Sequence, residues 1–546
     1  MAQQSSGIPL IEIYWSLVDK ADKKFSKIRD LPLYERNRFD TYFYKVFKVY
    51  TELWKFQQEN RQKLVEGGLK RWEIGEIASR IAQLYFGQYM RTSEASYLSE
   101  SYVFYEAILT REYFKEGLLQ DLNIANKQLR FLARFITVCL LLNRRHMVHQ
   151  LVNHLKILLD ECKRSFQEVN FREWKLVVQE IVKFLKADTN FLNIRPLRYS
   201  LVLDPHPDTL PHVVSQNPKR NLKLRDAVLS SYHPNEVKFS EVTLDTYRML
   251  QTLEWEPSGV FYDSVGGSGP NGTTKAIGHS PTQDIFDPTL PANPRKAVLY
   301  RPSVTHYIAI LASVCDDLPP DGVLLIYLSG CYGSNFIYPS DLLPFTRRPL
   351  FIIIDSESST SFKIISGSEK GEPAAMLLSP WFSPPTSSGE WSWHINGSLF
   401  TIFLTAPIQA FCFLLGFSGS DIQMDVFETA NELLSSSMNE WGLTLATSGA
   451  LDPVWAQVYC DPFLRRLLLR FIFCRAVLTF YAPTHKKTEF IPQCLPSLPE
   501  YVHPTSPAIE STIIEIANVF NAASSFDFSE KSVPAIVQKS RNHPES

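Results

Sequence analysis

VLLIYL at Val323–Leu328 and LFIII at Leu350–Ile354 are the two segments that constrain the fold of this chain most strongly. Each is a short, continuous apolar run, and turn-forming residues bound it on both sides. Runs of this kind are typical of strands that other elements cover on both faces, as in a parallel sheet. A third short strand is predicted at Ala375–Leu378. This part of the chain is therefore predicted to contain a mostly parallel sheet.

Helical patterns lie between and after these strands, at Thr305–Cys315, Ser398–Leu415, Asp425–Ser436 and Phe463–Phe480. Alternation of strands and helices is typical of a sheet with helices on both faces. Residues 297–523 are therefore predicted to form a three-layer α/β domain with C-terminal helices. Residues 524–546 are predicted to form a disordered tail.

The first part of the chain, residues 10–190, follows the helical period almost throughout. Apolar residues stand three and four positions apart, as in Ile74, Ile77 and Ile81, and Glu94–Ile108 repeats the pattern with aromatic residues. Further helices are predicted at 124–143, 146–166, 171–187 and 240–254. Paired helices with aromatic and small residues are typical of a TPR-like solenoid. Residues 1–257 are therefore predicted to form an all-α, TPR-like domain.

Two irregular stretches interrupt these patterns. Residues 188–236 are rich in Pro and are predicted to form an irregular connection within the helical domain. Pro257 ends the helix that follows, because proline cannot continue the backbone hydrogen-bond ladder. Residues 258–296 contain VGGSGPNGTTK, several prolines and few apolar anchors. They are predicted to form a flexible linker between the two domains.

The charge of the chain divides unevenly between its parts. Of 55 Lys and Arg and 57 Asp and Glu, residues 1–190 hold 30 and 23, a net charge of +7. The remaining 25 and 34 give −9, and the sum is the overall −2. A near-neutral chain argues against a protein that binds DNA through a general positive excess. The basic helical part is compatible with an acidic partner or nucleic acid, but ordinary solvated helix faces are the preferred explanation of its charge.

Neither a metal site nor a membrane anchor is expected. The eight cysteines include no C-x-x-C pair, and several, such as Cys139 and Cys412, stand within apolar runs. They are interpreted as buried thiols in a reducing compartment. Leu399–Phe417 has 19 residues without a formal charge, but Pro407 favours a buried helix over a membrane span. Met1–Pro9 lacks the basic and apolar regions of a secretory signal.

The loops after the two main strands are the candidate catalytic positions. Ligands of open α/β sheets bind beyond the carboxyl ends of the strands, where this sequence has Ser329–Ser334 and Asp355–Ser359. Cys331 could act as a nucleophile and Asp355 as a metal carboxylate. The base for Cys331 would be one of three histidines, His279, His306 or His394. The alternative is that these are turns whose side chains bind backbone amides.

Known catalytic motifs give these positions no support. The loop after the first strand has neither the G-x-G-x-x-G nor the phosphate-binding G-x-x-x-x-G-K-[ST] pattern. H-E-x-x-H and G-x-S-x-G do not occur in the chain. An enzyme or ligand-binding α/β domain with a site near Cys331 and Asp355 is therefore kept as the second hypothesis.

Candidate partner-binding residues lie on both sides of the second strand. Arg347 and Arg348 precede it and could bind a partner carboxylate or phosphate. Trp381, Trp391 and Trp393 lie in the loop SPWFSPPTSSGEWSWH, and tryptophan often contributes much of the binding energy of an interface. Solvated arginines and a loop folded over the sheet are the alternative explanations.

Eight longer blocks, in order along most of the chain, carry a resemblance to a known family. They are LWKFQQ (53–58), LKRWEIGEIASRIAQLYF (69–86), RTSEASYL (91–98), VKFSEVTLDTYRMLQTLE (237–254), LLIYLS (324–329), DLLPFTRRPLFIIIDS (341–356), GSLFTIFLTAPIQAF (397–411) and FLRRLLLRFIFCRA (463–476). Together they resemble the protein SCAI family (suppressor of cancer cell invasion). Eight ordered blocks are far more specific than any short motif.

The resemblance implies a non-enzymatic nuclear regulator without a cofactor. Members of the family act as transcriptional cofactors that repress serum-response-factor targets by binding myocardin-related coactivators. They are also linked to DNA double-strand-break repair through chromatin and repair-factor partners, so contact with nucleic acid is expected to be indirect. No catalytic residues accompany the resemblance.

Two departures from the animal members stand out. Those members carry a basic N-terminal extension, and they have a longer insertion where this chain has only Gly330–Tyr338. Both departures favour a divergent member from outside the animals. In an organism without myocardin-related factors, the repair or chromatin role is the one expected to persist.

Overall fold

The structure is a computed structural model. It describes residues 9–29, 31, 36–116, 118–166, 171–188, 197–201, 204–210, 213, 221–233, 236–256, 289–330, 336–367, 374–387, 393–417 and 422–528. The contacts divide the chain into two compact units. Of the described residues, the first unit comprises those up to residue 182 with 289–292, and the second comprises those of 183–256 with 293–528.

The first unit is helical. Its helices, of which the last runs on into the second unit, are α1 (Leu10–Arg29), α2 (Arg36–Glu59), α3 (Arg61–Glu66), α4 (Arg71–Thr92), α5 (Ala95–Thr110), α6 (Leu122–Leu141), α7 (Arg145–Ser165) and α8 (Arg172–Asp188). Short connections join α4 to α5 and α6 to α7, so each pair forms a helical hairpin. The assignment to a TPR-like solenoid stays a prediction.

The α4–α5 hairpin shows why this sequence folds as close-packed helices. Ser93, between the two helices, adopts a left-handed conformation with φ 57° and ends α4. Ser101 Oγ donates to the backbone oxygen of Ala82 at 2.9 Å, which ties α5 to α4. At Gly75 a Cβ atom would lie 2.7 Å from Cβ of Tyr113. Only glycine therefore permits the observed approach of the chain at residue 75.

The second unit contains a six-stranded sheet. Its strands are β1 (Lys223–Ser231), β4 (Arg295–Tyr300), β5 (Gly322–Ser329), β6 (Leu350–Asp355), β7 (Ala375–Leu378) and β8 (Gln493–Leu495), and a separate hairpin pairs β2 (Lys238–Phe239) with β3 (Val242–Thr243). The strand order is β4-β1-β5-β6-β7-β8, and every pair is parallel except β7 with β8. All residues of β5 and β6 are buried, so the centre of the sheet is covered on both faces.

The remaining helices of this unit surround the sheet or follow it. They are α9 (Leu244–Thr252), α10 (Val304–Asp317), α11 (Pro339–Leu342), α12 (Trp393–Asn396), α13 (Leu399–Thr405), α14 (Pro407–Leu414), α15 (Met424–Thr447), α16 (Pro453–Val458), α17 (Pro462–Phe480) and α18 (Pro507–Val519). Within the described residues, no helix combines the length and the apolar character that crossing a membrane requires. The predicted combination of a helical part with an α/β part is confirmed.

Three strands predicted from continuous apolar runs coincide with β5, β6 and β7. The stretch Leu399–Phe417 contains two buried helices, α13 and α14. This agrees with the prediction of a buried helical segment instead of a membrane span. Ala406 adopts a non-helical conformation between them, and Pro407 stands in the first turn of α14. Proline is well accommodated there because the first turn leaves its N–H groups unbonded.

The structure corrects the predicted boundary of the two domains. β1 lies within residues 188–236, where an irregular connection is predicted, and it pairs with both β4 and β5. Residues 183–256, including α9, consequently belong to the unit of the sheet instead of the helical unit. The strand is hard to find because Arg225, Asp226 and two serines interrupt its apolar pattern.

The predicted linker and tail fall mainly on residues that the structure does not describe. Residues 258–288 of the former and 529–546 of the latter lie outside the described residues. β4 begins at Arg295, inside the predicted linker. Residues 524–528 are part of the fold, since the Phe526 ring stacks on Phe411 with centroids 5.4 Å apart.

Candidate functional site at the strand ends

The sheet places three polar residues side by side at its carboxyl edge. Ser231 ends β1, Ser329 ends β5 and Asp355 ends β6, and the strand register aligns them as direct neighbours. The strand order reverses between β1 and β5, because β4 lies on one side of β1 while β5 and the later strands lie on the other side. Doubly wound folds with this order bind their ligands at the carboxyl ends of the strands beside the reversal.

Asp355 is covered by the helix α13. Its Oδ2 accepts a hydrogen bond from Thr401 Oγ1 at 2.5 Å, and the same hydroxyl lies 2.7 Å from the Tyr327 hydroxyl. Oδ1 has no hydrogen-bond partner among the described residues, and the side chain is 0% exposed. Burial, followed by the charge of Asp245, raises the pKa of Asp355 to about 7.

Asp245, in the first turn of α9, lies beneath the same helix. It accepts from the backbone N–H of Ser398 at 2.8 Å and from Arg248 Nη1 at 3.1 Å. The chain can approach this carboxylate because residue 397 is glycine, with φ +76°, and a Cβ there would lie 2.4 Å from Asp245 Oδ1. Burial raises the pKa of Asp245 to about 6, against the lowering effect of Arg248.

Glu236 completes a group of three buried carboxyls with Asp245 and Asp355, which we call the strand-end acidic cluster. The Ser231 hydroxyl donates to Glu236 Oε2, and the side chain is buried. Burial and the charge of Asp245 raise the pKa of Glu236 to about 8. Burial is the main cause of all three raised pKa values, and the charge of Asp245 adds to it for Glu236 and Asp355. Glu236 therefore keeps its proton at neutral pH, and Asp355 keeps it in part.

The cluster is more readily explained as a structural element than as a catalytic centre. In the described part of the chain, no three His, Cys, Asp or Glu side chains are placed so that they could hold a metal ion together. Asp355 and Asp245 are buried, and their hydrogen bonds join α9 to the start of α13 and α13 to the sheet. Sequence reasoning identified Asp355 but missed Glu236 and Asp245, which it assigned to the helical domain.

The pairing of Cys331 with a histidine base stays a prediction. Cys331 and His279 lie outside the described residues, as does the side chain of His394. His306 is exposed near the start of α10. The loop of Cys331 begins next to Asp355, because Gly330 N–H donates to the Asp355 backbone oxygen at 3.1 Å.

The predicted partner-binding residues are spread over two loops. Arg347 is exposed at the end of a short 3₁₀-helix, and Arg348 is half-buried. Trp381 follows β7 and is 49% exposed, while its Nε1 donates to Thr360 Oγ1 at 3.0 Å. Trp391 lies outside the described residues, and Trp393 begins α12 with a side chain that the structure does not describe.

Phe382 is an apolar surface residue that sequence reasoning missed. It is 59% exposed, and its ring lies 6.2 Å from that of Phe490 between centroids. With Trp381 it forms an apolar surface that we call the Trp381 surface. The dipeptide Trp-Phe between prolines is the sequence signal that could have indicated it.

Comparison with known proteins identifies the family of the chain. A family model described as "Protein SCAI" matches residues 16–335 and 330–484. The chain belongs to the SCAI family.

Named SCAI relatives match over most of their length. Protein SCAI of Homo sapiens and Protein SCAI of Mus musculus are each 35% identical over 554 residues, covering 93% of this chain and 88% of theirs. The Protein SCAI homolog of Dictyostelium discoideum is 27% identical over 665 residues, covering 86% of this chain and 85% of its own. No solved structure matches the chain. Membership of the SCAI family indicates a non-enzymatic regulatory protein.

Proposed function

We propose that this chain is a nuclear protein-interaction scaffold that acts as a transcriptional corepressor and in DNA double-strand-break repair. Its partners are nuclear proteins, namely chromatin or DNA-repair factors and, where the organism has them, coactivators of the myocardin-related type. It reaches nucleic acid through these proteins and uses neither a metal nor a cofactor. Membership of the SCAI family is the observation that carries this proposal.

Two structural features support a binding role. The conspicuous buried acid at the strand ends, Asp355, is 0% exposed and bound to Thr401, so a soluble substrate has no access to it. By contrast, Trp381 and Phe382 expose about half of their surface. Partly exposed aromatic side chains are typical of protein interfaces, where they bury large areas at a low cost in conformational entropy.

The proposal is tested by replacing human Protein SCAI, which is 35% identical, with this chain in human cells. The full chain, fused to a fluorescent protein, is expressed in cells depleted of Protein SCAI that carry a serum-response-factor reporter. We expect nuclear fluorescence and reduced reporter activity. Fluorescence that stays outside the nucleus, together with unchanged reporter activity, would contradict the proposal.

Two variants of the full chain provide matched controls. Asp355→Asn removes the only acid of the cluster that sequence reasoning linked to catalysis, and it should leave repression intact if the protein is a scaffold. A double variant, Trp381→Ala with Phe382→Ala, should weaken repression without changing protein abundance. Loss of repression in Asp355→Asn at normal abundance would instead favour an enzyme or ligand site at the strand ends.

A further inference from the structure

The helical unit carries a second aromatic surface, built by α2, α4 and α5. Tyr85 of α4 lies at its centre, with ring centroids 5.1 Å from Phe47, 5.9 Å from Phe104 and 6.3 Å from Tyr97. Trp54 extends it, 5.5 Å from Phe104. These five residues, which we call the aromatic face, are all partly exposed, whereas the core rings of the same helices are buried.

The face follows the helical period of α2. Phe47, Thr51 and Trp54 are three and four residues apart, so they lie on one side of the helix. Tyr44, one turn earlier on the same side, is 71% exposed. From Tyr44 to Trp54 the row extends about 15 Å at a rise of 1.5 Å per residue, which is roughly the length of three turns of a bound helix.

Two exposed lysines of α2 lie beside this face in the sequence of the helix. Lys48 and Lys55 each follow one of its aromatic residues and are exposed, and neither makes an ion pair within the described residues. Glu52, between them, is 3.9 Å from Lys20 of α1. One acid lies near the rings: burial raises the pKa of Tyr85, and the charge of Glu100 adds to this effect. The α2 margin of the face is therefore basic.

We propose that the aromatic face binds an acidic peptide segment of a partner protein, with aromatic or large aliphatic anchors that pack on Tyr85 and its neighbours. The partner's carboxylates would pair with Lys48 and Lys55. Such a segment matches both the apolar rings and the exposed positive charges of Lys48 and Lys55, as complementary interfaces require. The inference rests on the proposed scaffold function and assigns a partner chemistry to the helical unit.

A peptide selection on the full chain tests this assignment. A phage-displayed library of random 16-residue peptides is panned on the immobilised protein, and enriched peptides are measured by fluorescence anisotropy. We expect enriched peptides to combine Asp or Glu with Phe, Trp or Leu. Trp54→Ala should weaken their binding about tenfold or more, as truncating a tryptophan that anchors an interface does.

Charge variants test the proposal without touching the packed rings. Lys48→Glu with Lys55→Glu should weaken binding of the acidic peptides about tenfold, and Glu100→Gln should strengthen it. The matched control is Lys156→Glu with Lys175→Glu, exposed lysines on α7 and α8. This control makes the same change of net charge and should leave binding unchanged.

Several results would overturn the assignment. They are enrichment of basic peptides, no enrichment at all, or acidic peptides that bind the Lys48→Glu and Lys55→Glu variant as tightly as the unaltered chain. Oligothymidine that binds the aromatic face in place of any peptide would assign it to nucleic acid. If the peptides fail while the full chain still represses the reporter, the scaffold function stands and the partner binds another surface.

Discussion

Asp355→Asn is expected to stabilise the unit of the sheet at pH 8 and to reduce its loss of stability with rising pH. The folded state keeps the Asp355 proton up to a pKa of about 7, compared with an ordinary value of 3.8. Between these values the folded state binds more protons than the unfolded state. The contribution of Asp355 to the free energy of unfolding is therefore largest near pH 4 and falls as the pH rises toward 7. Above the pKa of the folded state this contribution is lost.

The magnitude follows from the shift. About three pKa units, at 1.36 kcal/mol each, correspond to about 4 kcal/mol between pH 4 and pH 8. Because the proton leaves near pH 7, Asp355 alone accounts for about 1.4 kcal/mol of the loss between pH 6 and pH 8. Glu236, with a pKa of about 8, adds a loss of the same sign. Asparagine keeps the shape and the hydrogen bond to Thr401 but carries no charge.

Hydrogen–deuterium exchange of peptides from β5 and β6 gives the opening free energy at pH 6 and pH 8, after correction for the pH dependence of intrinsic exchange. The matched control is Asp226→Asn, because Asp226 is also buried but accepts from Arg295 Nη2 at 2.7 Å. Its loss leaves a guanidinium without that carboxylate and should destabilise by about 1–3 kcal/mol at pH 8. Asp355→Asn that destabilises as Asp226→Asn does, or an unchanged pH slope, would refute the reasoning.

Three further variants test other parts of the account. Gly75→Ala should lower the thermal stability of the helical unit by about 1–3 kcal/mol, because its Cβ would meet Tyr113 at 2.7 Å; an unchanged melting curve would contradict this packing. Arg470→Met should lower the free energy of unfolding, measured with urea, by about 2 kcal/mol, because Arg470 Nη1 donates to the backbone oxygens of the last two residues of α13. An unchanged free energy of unfolding would contradict this role of Arg470. Trp381→Ala with Phe382→Ala should change stability by less than about 0.5 kcal/mol but reduce partner capture; a large drop in melting temperature would mean that the Trp381 surface is part of the core.

The sequence predicts those strands of the sheet that are buried on both faces and consist of a continuous apolar run. β5 and β6 have that form, and their continuous runs identify them. β1 could not be found in the same way, because its burial depends on an ion pair between Asp226 and Arg295 that only the neighbouring strand supplies. A single sequence does not show which distant residue neutralises a buried charge, so the boundary of the two units was misplaced.

The candidate site was predictable only in part for a related reason. Asp355 follows a recognisable strand, which places it at the carboxyl edge of the sheet. Glu236 comes to the same edge from the connection between β1 and β2, where an irregular stretch is predicted, and Asp245 comes from α9, which is predicted to belong to the helical domain. The contact of Asp245 with the start of α13 depends on Gly397, because a Cβ at residue 397 would lie 2.4 Å from Asp245 Oδ1. The aromatic face of the helical unit was hidden because its residues share the spacing of core residues.

The central claim, that the chain is a nuclear interaction scaffold without catalytic activity, is tested most directly by quantitative affinity capture. The full chain and its Asp355→Asn variant are incubated with nuclear extract, and bound proteins are quantified by mass spectrometry. The scaffold account predicts that both capture the same transcription, chromatin or repair proteins in equal amounts. Capture of none of these proteins by the unaltered chain would contradict it.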